Sequence, residues 1–352
     1  MNALIISLNF NPGHFSHLLA NYQLFEEIGY KPYLYVNKSF KKMDEEDVYD
    51  KIYLLKGLDA ANVGVAVFWF PSLKNIWAIF NLRFFLKARV IYVYHEPFDS
   101  IRNYYASGFG FRKILKICLI NLVNFPILLF SNKIILPSSN SLALYEKKYK
   151  WINNNFVMMP LLFDDEGNDL IKIDGKIYIS YIGTVAADHA FDKFVNFAVS
   201  AIENGWFLEY QFLIATSSII PQKERNQIES FVASKRIHIH EGSPMTNNTI
   251  NGYYEKSAVV WNAYNRSMQS GVLPKSFMFG TPVIVLKKNA NEFIENKITG
   301  LLIDNNNDVL EIKEAIESIL SKNQIFFANC RTKFKNTFYY KSKIDVFKKL
   351  VE

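Results

Sequence analysis

The chain has 352 residues, half of them apolar and 21% charged, with a formal net charge of +7 and two cysteines. That is enough length for two separate cores, and too apolar a composition for a disordered or low-complexity protein. Cys118 and Cys330 make neither a disulfide framework nor a zinc pattern, which points to a reducing cytoplasm.

The first ten residues lack the basic start of a secretory leader and read as a buried strand, Leu4 to Leu8. A turn-rich loop with His14, Ser16 and His17 leads into an amphipathic helix, with Leu18, Tyr22, Phe25 and Ile28 on one face and Gly29 as its stop. Tyr33 to Val36 completes a β-α-β unit. A loop after the first strand of such a unit faces the crevice at the carboxyl ends of the strands, making His14 and His17 candidates for ligand contact. Lys41 to Asp50 reads as an exposed connection, and Ile52 to Leu55, Gly64 to Phe70 and Val90 to Tyr94 as strands.

The last of these runs into His95-Glu96-Pro97-Phe98-Asp99, three ionisable groups at one strand end. Pro97 keeps Glu96 out of helical geometry, so this is a turn. A proton acceptor or a positioning group for a reacting hydroxyl has this composition, and so does a turn in which Asp99 starts the next helix. Residues 100–110, with Arg102, Tyr104 and two glycines, read as a mobile loop whose tyrosines could stack on a sugar and whose Arg102 could pair with a pyrophosphate. A mostly apolar helix is predicted from Phe111 to Asn124, followed after Pro126 by another apolar run and a strand at Ile134–Leu136. No uninterrupted apolar stretch reaches the roughly 18–20 residues of a membrane span.

Charge is uneven. Residues 61–163 hold twelve Lys or Arg against three acids, a local excess of nine. Large apolar residues are interleaved with the cations, as in Phe80-Asn-Leu-Arg-Phe-Phe-Leu-Lys87, which suits an anionic membrane surface along residues 61–130 better than nucleic acid. No nucleic-acid-binding motif is present.

Pro160 and Gly167 break a polar stretch read as a linker, dividing the chain into domains of residues 1–162 and 163–335. Ile177 to Ile182 starts a second β-α-β series and runs into Gly183-Thr184-Val185, with His189 at the start of the following helix. Strands follow at 207–214 and 237–241, the second turning at Gly242-Ser243-Pro244. His238 and His240 share a strand face, but no third ligand has suitable spacing, so no metal is expected. Ala258 to Trp261 is a buried strand. A loop with Tyr264, Arg266, Gln269, Ser270 and Gly271 follows, then a short helix from Val272 with Pro274 and Lys275 near its start and Gly280 at its end, then a strand at 283–286. The backbone N–H groups of such a helix start, with Ser270 adding a hydroxyl and Gly271 a close approach, can hold a phosphate. A short helix at Asn291–Asn296, a strand at Gly300–Ile303 and terminal helices finish the chain.

The wording Tyr264…Gln269-Ser270-Gly271-Val272-Leu-Pro…Phe279-Gly-Thr-Pro-Val-Ile…Asn291-Glu292…Thr299-Gly300 resembles the C-terminal signature of the GT-B glycosyltransferases. The likeness is strongest to bacterial family-four-like enzymes of surface-polysaccharide synthesis such as those of O-antigen and capsule. The resemblance covers most of the chain and is most specific over 258–303. It implies an α/β fold of two Rossmann-like domains with parallel sheets facing a central cleft, and a terminal helix, 336–352, that crosses back to the first domain. It further implies a donor nucleotide-diphospho-sugar held by Gly183, Thr184, His189, Gly242, Ser243, Pro244, Tyr264, Arg266, Gln269, Ser270, Gly271, Val272, Lys275 and Glu292. A lipid-linked saccharide acceptor, carried on a polyprenyl pyrophosphate, would meet His14, His17, Arg102 and Tyr104, with His95, Glu96 or Asp99 doing the proton chemistry. Transfer with retention follows from the resemblance; with the helix start and nearby cations at the diphosphate no metal or other cofactor is expected, and the cysteines and the basic apolar stretch lead to the expectation of a cytoplasmic protein peripheral at the inner face of the cell membrane. The family's usual Arg and Lys after the glycine are here Thr184 and His189, and its Glu at the helix start is Lys275; Arg266 and Lys275 are expected to restore the positive charge. Two other readings stand beside this one: a sugar-nucleotide epimerase of the same fold, and a non-catalytic GT-B-like glycan-binding or partner protein, which these departures support.

Overall fold

The computed structural model describes residues 1–43, 62–167, 175–266, 268 and 270–352. The strand expected at Ile52–Leu55, most of the connection Lys41–Asp50 and Gln269 lie outside the described residues. The chain forms two compact units, Met1–Asp164 with Thr337–Glu352, and Asp165–Asn336.

The first unit runs β1 (Asn2–Ser7), α1 (Phe15–Glu27), β2 (Lys31–Val36), β3 (Val63–Trp69), α2 (Leu73–Phe80), β4 (Arg89–Val93), α3 (Ile101–Ala106), α4 (Phe111–Phe130), β5 (Lys133–Leu136), α5 (Ser139–Lys148) and β6 (Phe156–Met158). Its strands pair in the order β2-β1-β3-β4-β5-β6, every pair parallel. Parallel strands need crossovers and are covered on both faces, so they read as unbroken apolar runs, as β1 and β3 do. The order reverses between β1 and β3, the position where ligands sit in open α/β sheets.

Two expectations change here. Residues 101–106 are helical rather than loop, with Ser100 Oγ accepting from Asn103 N, and Tyr104 is buried with Phe109 and Ile114 in a small satellite core. The predicted helix at 111–124 continues through Pro126 to Phe130. Proline within a helix removes one N–H and crowds the preceding turn. Here Ile127 and Leu128 are buried in the sheet core, and Asn124 Oδ1 accepts from Tyr92 Oη at 2.7 Å, fixing the turns on either side.

The second unit runs β7 (Tyr178–Ile182), α6 (Phe191–Glu203), β8 (Gln211–Ala215), α7 (Gln222–Ala233), β9 (Ile237–His240), α8 (Asn247–Glu255), β10 (Ser257–Asn262), α9 (Val272–Met278), β11 (Val283–Leu286), β12 (Gly300–Ile303), α10 (Val309–Leu320) and α11 (Asn323–Thr337). The strand order is β12-β11-β10-β7-β8-β9, again parallel throughout, with its reversal between β7 and β10. Residues 291–296, expected as a short helix, form turns. Gly280 closes α9 at φ 64, and a Cβ there would press into the Phe327 ring, so the position is glycine for two reasons.

Lys176 pins β10 to the end of α9. Its Nζ donates to the carbonyls of Ser257 and Phe279, both at 3.0 Å, and to Thr281 Oγ1 at 2.8 Å. Burial pulls its pKa down to about 7.

The last helix, α12 (Ile344–Val351), belongs to the first unit. Phe163 and the tail exchange backbone hydrogen bonds, Phe163 N to Phe338 O and Tyr340 N to Phe163 O, both 2.9 Å. Phe347 is fully buried edge-on to Phe25, ring centroids 5.0 Å apart. Phe347→Ala is expected to lower unfolding stability by about 3–5 kcal/mol, the usual cost of such a cavity; denaturant titration of full-length protein measures it, and a loss below about 1 kcal/mol would show that α12 contributes little.

Candidate functional site

Each unit gathers some of its sequence-predicted residues at its own topological switch point. In the first unit the loop after β1 brings His14 against Phe70, the residue that follows β3, with ring centroids 4.1 Å apart. His95, two residues beyond β4, lies 5.5 Å from His14, and His17 5.7 Å. Phe70 holds φ 63, a left-handed conformation that costs a bulky residue about 1–2 kcal/mol, and Asn75 Nδ2 fixes it by donating to its carbonyl at 2.7 Å. Strain of this kind collects at sites, and no sequence signal announces it.

These imidazoles differ in role. His17 is a framework group: it sits inside α1 rather than capping it, its Nδ1–H donates to the Leu162 carbonyl at 3.0 Å, and its ring lies parallel to Trp69. His14 is 8% exposed, and its Nδ1 has no hydrogen-bond partner among the described residues. Burial first, then His95 and His17, hold its pKa well below 6.5. Burial also lowers that of His95, against a smaller upward pull from Glu96. Both are therefore neutral near pH 7 and able to accept a proton or a hydrogen bond.

The other candidates of this region lie apart from that cluster. Glu96 and Arg102 are exposed. Asp99 Oδ1 accepts from Ser100 N at 2.7 Å and Asn103 Nδ2 at 2.9 Å, tying down the start of α3. Tyr104 is a core residue whose hydroxyl accepts from Asp99 N at 3.0 Å, so it offers no stacking face to a sugar. The imidazole cluster, not the carboxylates, is what the fold brings together.

In the second unit Gly183 ends β7 at φ 139, and a Cβ there would stand 3.6 Å from Val272 and 3.8 Å from the Tyr264 hydroxyl. The turn after β7 and the loop after β10 are thus in contact. His189 stacks on Tyr264 at 4.4 Å and 11°, with its Nδ1 3.0 Å from the Thr184 carbonyl. Asn265 N and Arg266 N donate to the Asp188 carbonyl at 2.8 and 3.2 Å, and Asn306 Nδ2 to Ala263 O at 2.9 Å. Burial raises the Tyr264 pKa, partly offset by the Ser270 side chain, so the phenol stays a donor. Ser270 Oγ accepts from Val272 N at 3.2 Å at the start of α9, with Gly271 between them as the first capping residue. Asn262, which ends β10, is buried at the same point with its Oδ1 lacking a partner among the described residues. Gly242, Ser243 and Pro244 form an exposed turn after the edge strand β9, two strands away from β7, and Glu292 is exposed.

Lys275 departs from the expectation set for it. It is buried, and its Nζ sits 2.5 Å from Glu166 Oε2 and 2.8 Å from Asn251 Oδ1. Its positive charge is already met by a carboxylate, so it adds little at the Ser-Gly loop; Arg266, also buried, is the other cation of that region. The next residue back, Asp165, makes a two-pronged pair with Arg331, at 2.9 and 2.8 Å. Neither partner of Lys275 was legible beforehand, because nothing in the spacing links residue 166 to residue 275. His240 Nδ1 is 3.2 Å from Tyr253 Oη, and no group of three metal-ligating side chains occurs among the described residues.

Residues 176–322 match the family model described as glycosyl transferases, group 1. This stretch is similar to the group 1 glycosyl transferase domains. No curated protein matches the chain in sequence. Among solved structures, HepE of Anabaena in complex with UDP and glucose aligns over 100% of this chain and 99% of its own, at 11% identity and a TM-score of 0.71. Sucrose-phosphate synthase of Thermosynechococcus elongatus aligns over 99% and 97%, at 15% and 0.65. WaaG, a glycosyltransferase involved in lipopolysaccharide biosynthesis, aligns over 100% and 99%, at 13% and 0.64. The fold is therefore GT-B, and the resemblance stated from the sequence holds.

Two expectations follow from the site geometry. Glu166→Gln leaves the Lys275 ammonium buried beside a neutral amide and is expected to cost about 3–5 kcal/mol, whereas Glu166→Gln with Lys275→Met recovers most of the loss; denaturant melts of the single and double variants check this, and additive losses would contradict it. The second concerns pH. A histidine whose folded pKa lies below its unfolded value of about 6.5 contributes stability that is complete above that value and fades as pH falls through it, by at most about 1.4 kcal/mol per pH unit. Unfolding midpoints measured from pH 7.5 to 5 should therefore decline, and the decline should be shallower in His14→Gln.

Proposed function

We propose that this protein transfers a sugar from a nucleotide-diphospho-sugar to a hydroxyl of a lipid-linked saccharide, in bacterial surface-polysaccharide synthesis at the inner face of the cell membrane. The observation that carries the reading is the meeting of Gly183, Tyr264 and Val272 at the β7/β10 switch point, within the stretch that matches the group 1 family model. The solved relatives that bind UDP or UDP-glucose, and the relative involved in lipopolysaccharide biosynthesis, favour this donor class and this pathway type.

In this reading the donor diphosphate lies over Gly183, whose lack of a side chain keeps the approach open, and against Ser270, Gly271 and the first N–H groups of α9. Tyr264 and Arg266 support it from the loop after β10. In the transfer the bond between the anomeric carbon and the diphosphate oxygen breaks, and a bond to the acceptor oxygen forms. The acceptor's proton passes to a neutral imidazole, and His95, the more accessible of the two lowered histidines, is assigned that role with His14 holding the hydroxyl. Positive charge near the leaving diphosphate is modest, since Lys275 is paired with Glu166. Backbone N–H groups carry most of that stabilisation in this scheme, and no metal is assigned.

The membrane assignment rests on the first unit. Leu73, Trp77, Phe84 and Phe85 on and after α2, and Phe111, Leu115, Leu119 and Leu122 on α4, are exposed, with Leu122 at 69%. With Phe125 and Leu129, also exposed, the α4 residues recur every three or four positions, a stripe about 27 Å long at 1.5 Å per residue. By length and composition α4 is apolar enough to cross a membrane, yet it is the crossover from β4 to β5, and Asn124, Ile127 and Leu128 lock it to the sheet. It therefore lies along the bilayer surface in this reading, with Arg112, Lys113 and Lys116 among its flanking cations. An epimerase acting on a soluble substrate has no use for such a face.

The test is a thermal-shift series with UDP-, GDP-, CMP- and dTDP-sugars. A ligand at 100 times its Kd stabilises native protein by about 2.7 kcal/mol, so one base class is expected to raise the midpoint by several degrees. Ser270→Ala and Gly271→Val should abolish the shift, and His95→Ala should keep it while removing transfer. Well-folded protein that responds to none of the four would favour the non-catalytic reading.

A further inference from the structure

At the opposite end of the first sheet from the imidazole cluster lies a cavity of about 640 Å³. It opens at the amino ends of β4, β5 and β6 and is walled by Arg83, Asn132, Lys150, Trp151 and Asn153–Asn155. We propose that this cavity seats the phosphate-bearing headgroup of an anionic phospholipid, giving the membrane-facing surface a specific lipid contact besides diffuse attraction. The inference rests on the membrane reading above and assigns that surface a particular partner.

Three observations carry it. First, the lining is cationic without compensation. Arg83 and Lys150 form no ion pair among the described residues, and no acid lines the cavity. Arg83 is held in place because its Nη1 donates to the Phe130 carbonyl, at the end of α4, at 2.6 Å. Second, the floor is rigid and rich in amides. Asn153 Nδ2 donates to Leu128 O at 2.9 Å and Ser131 O at 2.8 Å, while its Oδ1 accepts from Asn155 N at 2.9 Å. Asn155 Nδ2 in turn donates to Asn132 O at 2.7 Å, and Asn132 Oδ1 accepts from Val90 N at 2.9 Å. A frame fixed in this way loses little entropy when a ligand settles into it. Third, the rim joins the apolar face. Trp151, exposed, lies 5.8 Å from Phe125 of α4, and Phe130 and Phe84 stand 5.9 Å apart beside Arg83. Acyl chains would lie along α4 while the headgroup enters between Arg83 and Lys150, with Trp151 at the interface, where indole is favoured.

A second copy of this chain is a poor occupant, because its own face would bring the same uncompensated cations against these. An anionic lipid supplies the missing charge, and phosphate against guanidinium and ammonium is the strong form of hydrogen bond.

The experiment is co-sedimentation of the full chain with phosphatidylcholine vesicles, with and without phosphatidylglycerol. The variants are Lys150→Ala within the cavity and Lys87→Ala and Lys116→Ala on the surface outside it; all three remove one exposed cation. Losing a surface cation alone should weaken binding by about 5-fold. If the cavity seats the headgroup, Lys150→Ala weakens binding to phosphatidylglycerol vesicles on the order of 20-fold or more, since a charged hydrogen bond goes with the charge. Equal losses in the three variants would overturn the seat and leave the membrane surface standing. Wild-type protein that ignores both kinds of vesicle would overturn the membrane reading and the seat with it.

Discussion

Parallel pairing is the constraint on which the rest depends. A strand that lies parallel to its predecessor can be reached only by a crossover, so every loop that follows a strand emerges at one edge of the sheet and every loop that precedes one emerges at the other. His14, Phe70 and His95 stand far apart in sequence, yet each follows a strand of the same sheet and they meet within 5.5 Å or less of His14. Gly183 and Tyr264 meet for the same reason after β7 and β10. The reversal of strand order then selects which part of that edge is concave: β1/β3 in one unit, β7/β10 in the other. The geometry of both candidate sites follows from strand order before any side chain is considered.

What the side chains add is control of charge by burial. His14 and His95 are kept neutral because burial strips their charged forms of hydration, a loss that the pull of Glu96 on His95 does not make good. Lys275 is buried with its ammonium against Glu166, and Lys176 donates to carbonyls and a hydroxyl while burial lowers its pKa. These buried groups stabilise a particular arrangement more than they stabilise the fold: Lys176 ties β10 to the end of α9, and Lys275 ties α9 to the residues that begin the second unit. The Ser-Gly loop thereby inherits a fixed position from two lysines that stand behind it.

Much of the fold was legible because apolar runs bounded by Gly, Pro and polar turns are the direct mark of buried parallel strands, and β1, β3, β7, β10 and β11 all carry it. The Ser-Gly loop and its helix were legible because the residues around them carry a family's wording. Other features were not. Pro126 reads as a helix end, but packing on both sides of it outweighs the lost hydrogen bond, so α4 is longer than its local chemistry suggests. Asp99 and Tyr104 read as site residues by composition, yet their side chains are absorbed in building α3 and its small core. The pairing of Glu166 with Lys275 and the strained backbone of Phe70 are tertiary facts with no local sequence correlate. Periodicity reports which residues are buried; it does not report which buried polar groups find each other.

The two faces of α4 differ in what they meet. Its inner residues, Ile114, Asn124, Ile127 and Leu128, meet the demands of a sheet-covering crossover, including hydrogen bonds that no lipid could supply. Its outer residues present a row of exposed large apolar side chains, the kind of surface that marks an interaction site or an aggregation liability. Because α4 is tethered at both ends, by β4 before and β5 after, the proposed contact is one along a bilayer and not across it. Cations flank the stripe, Arg112 and Lys113 near one end of the helix and Arg83 and Lys150 beyond the other. Of the two, the far cluster lines an open cavity with fixed amides, and for that reason the proposed lipid seat is there and not at the exposed lysines of the helix start.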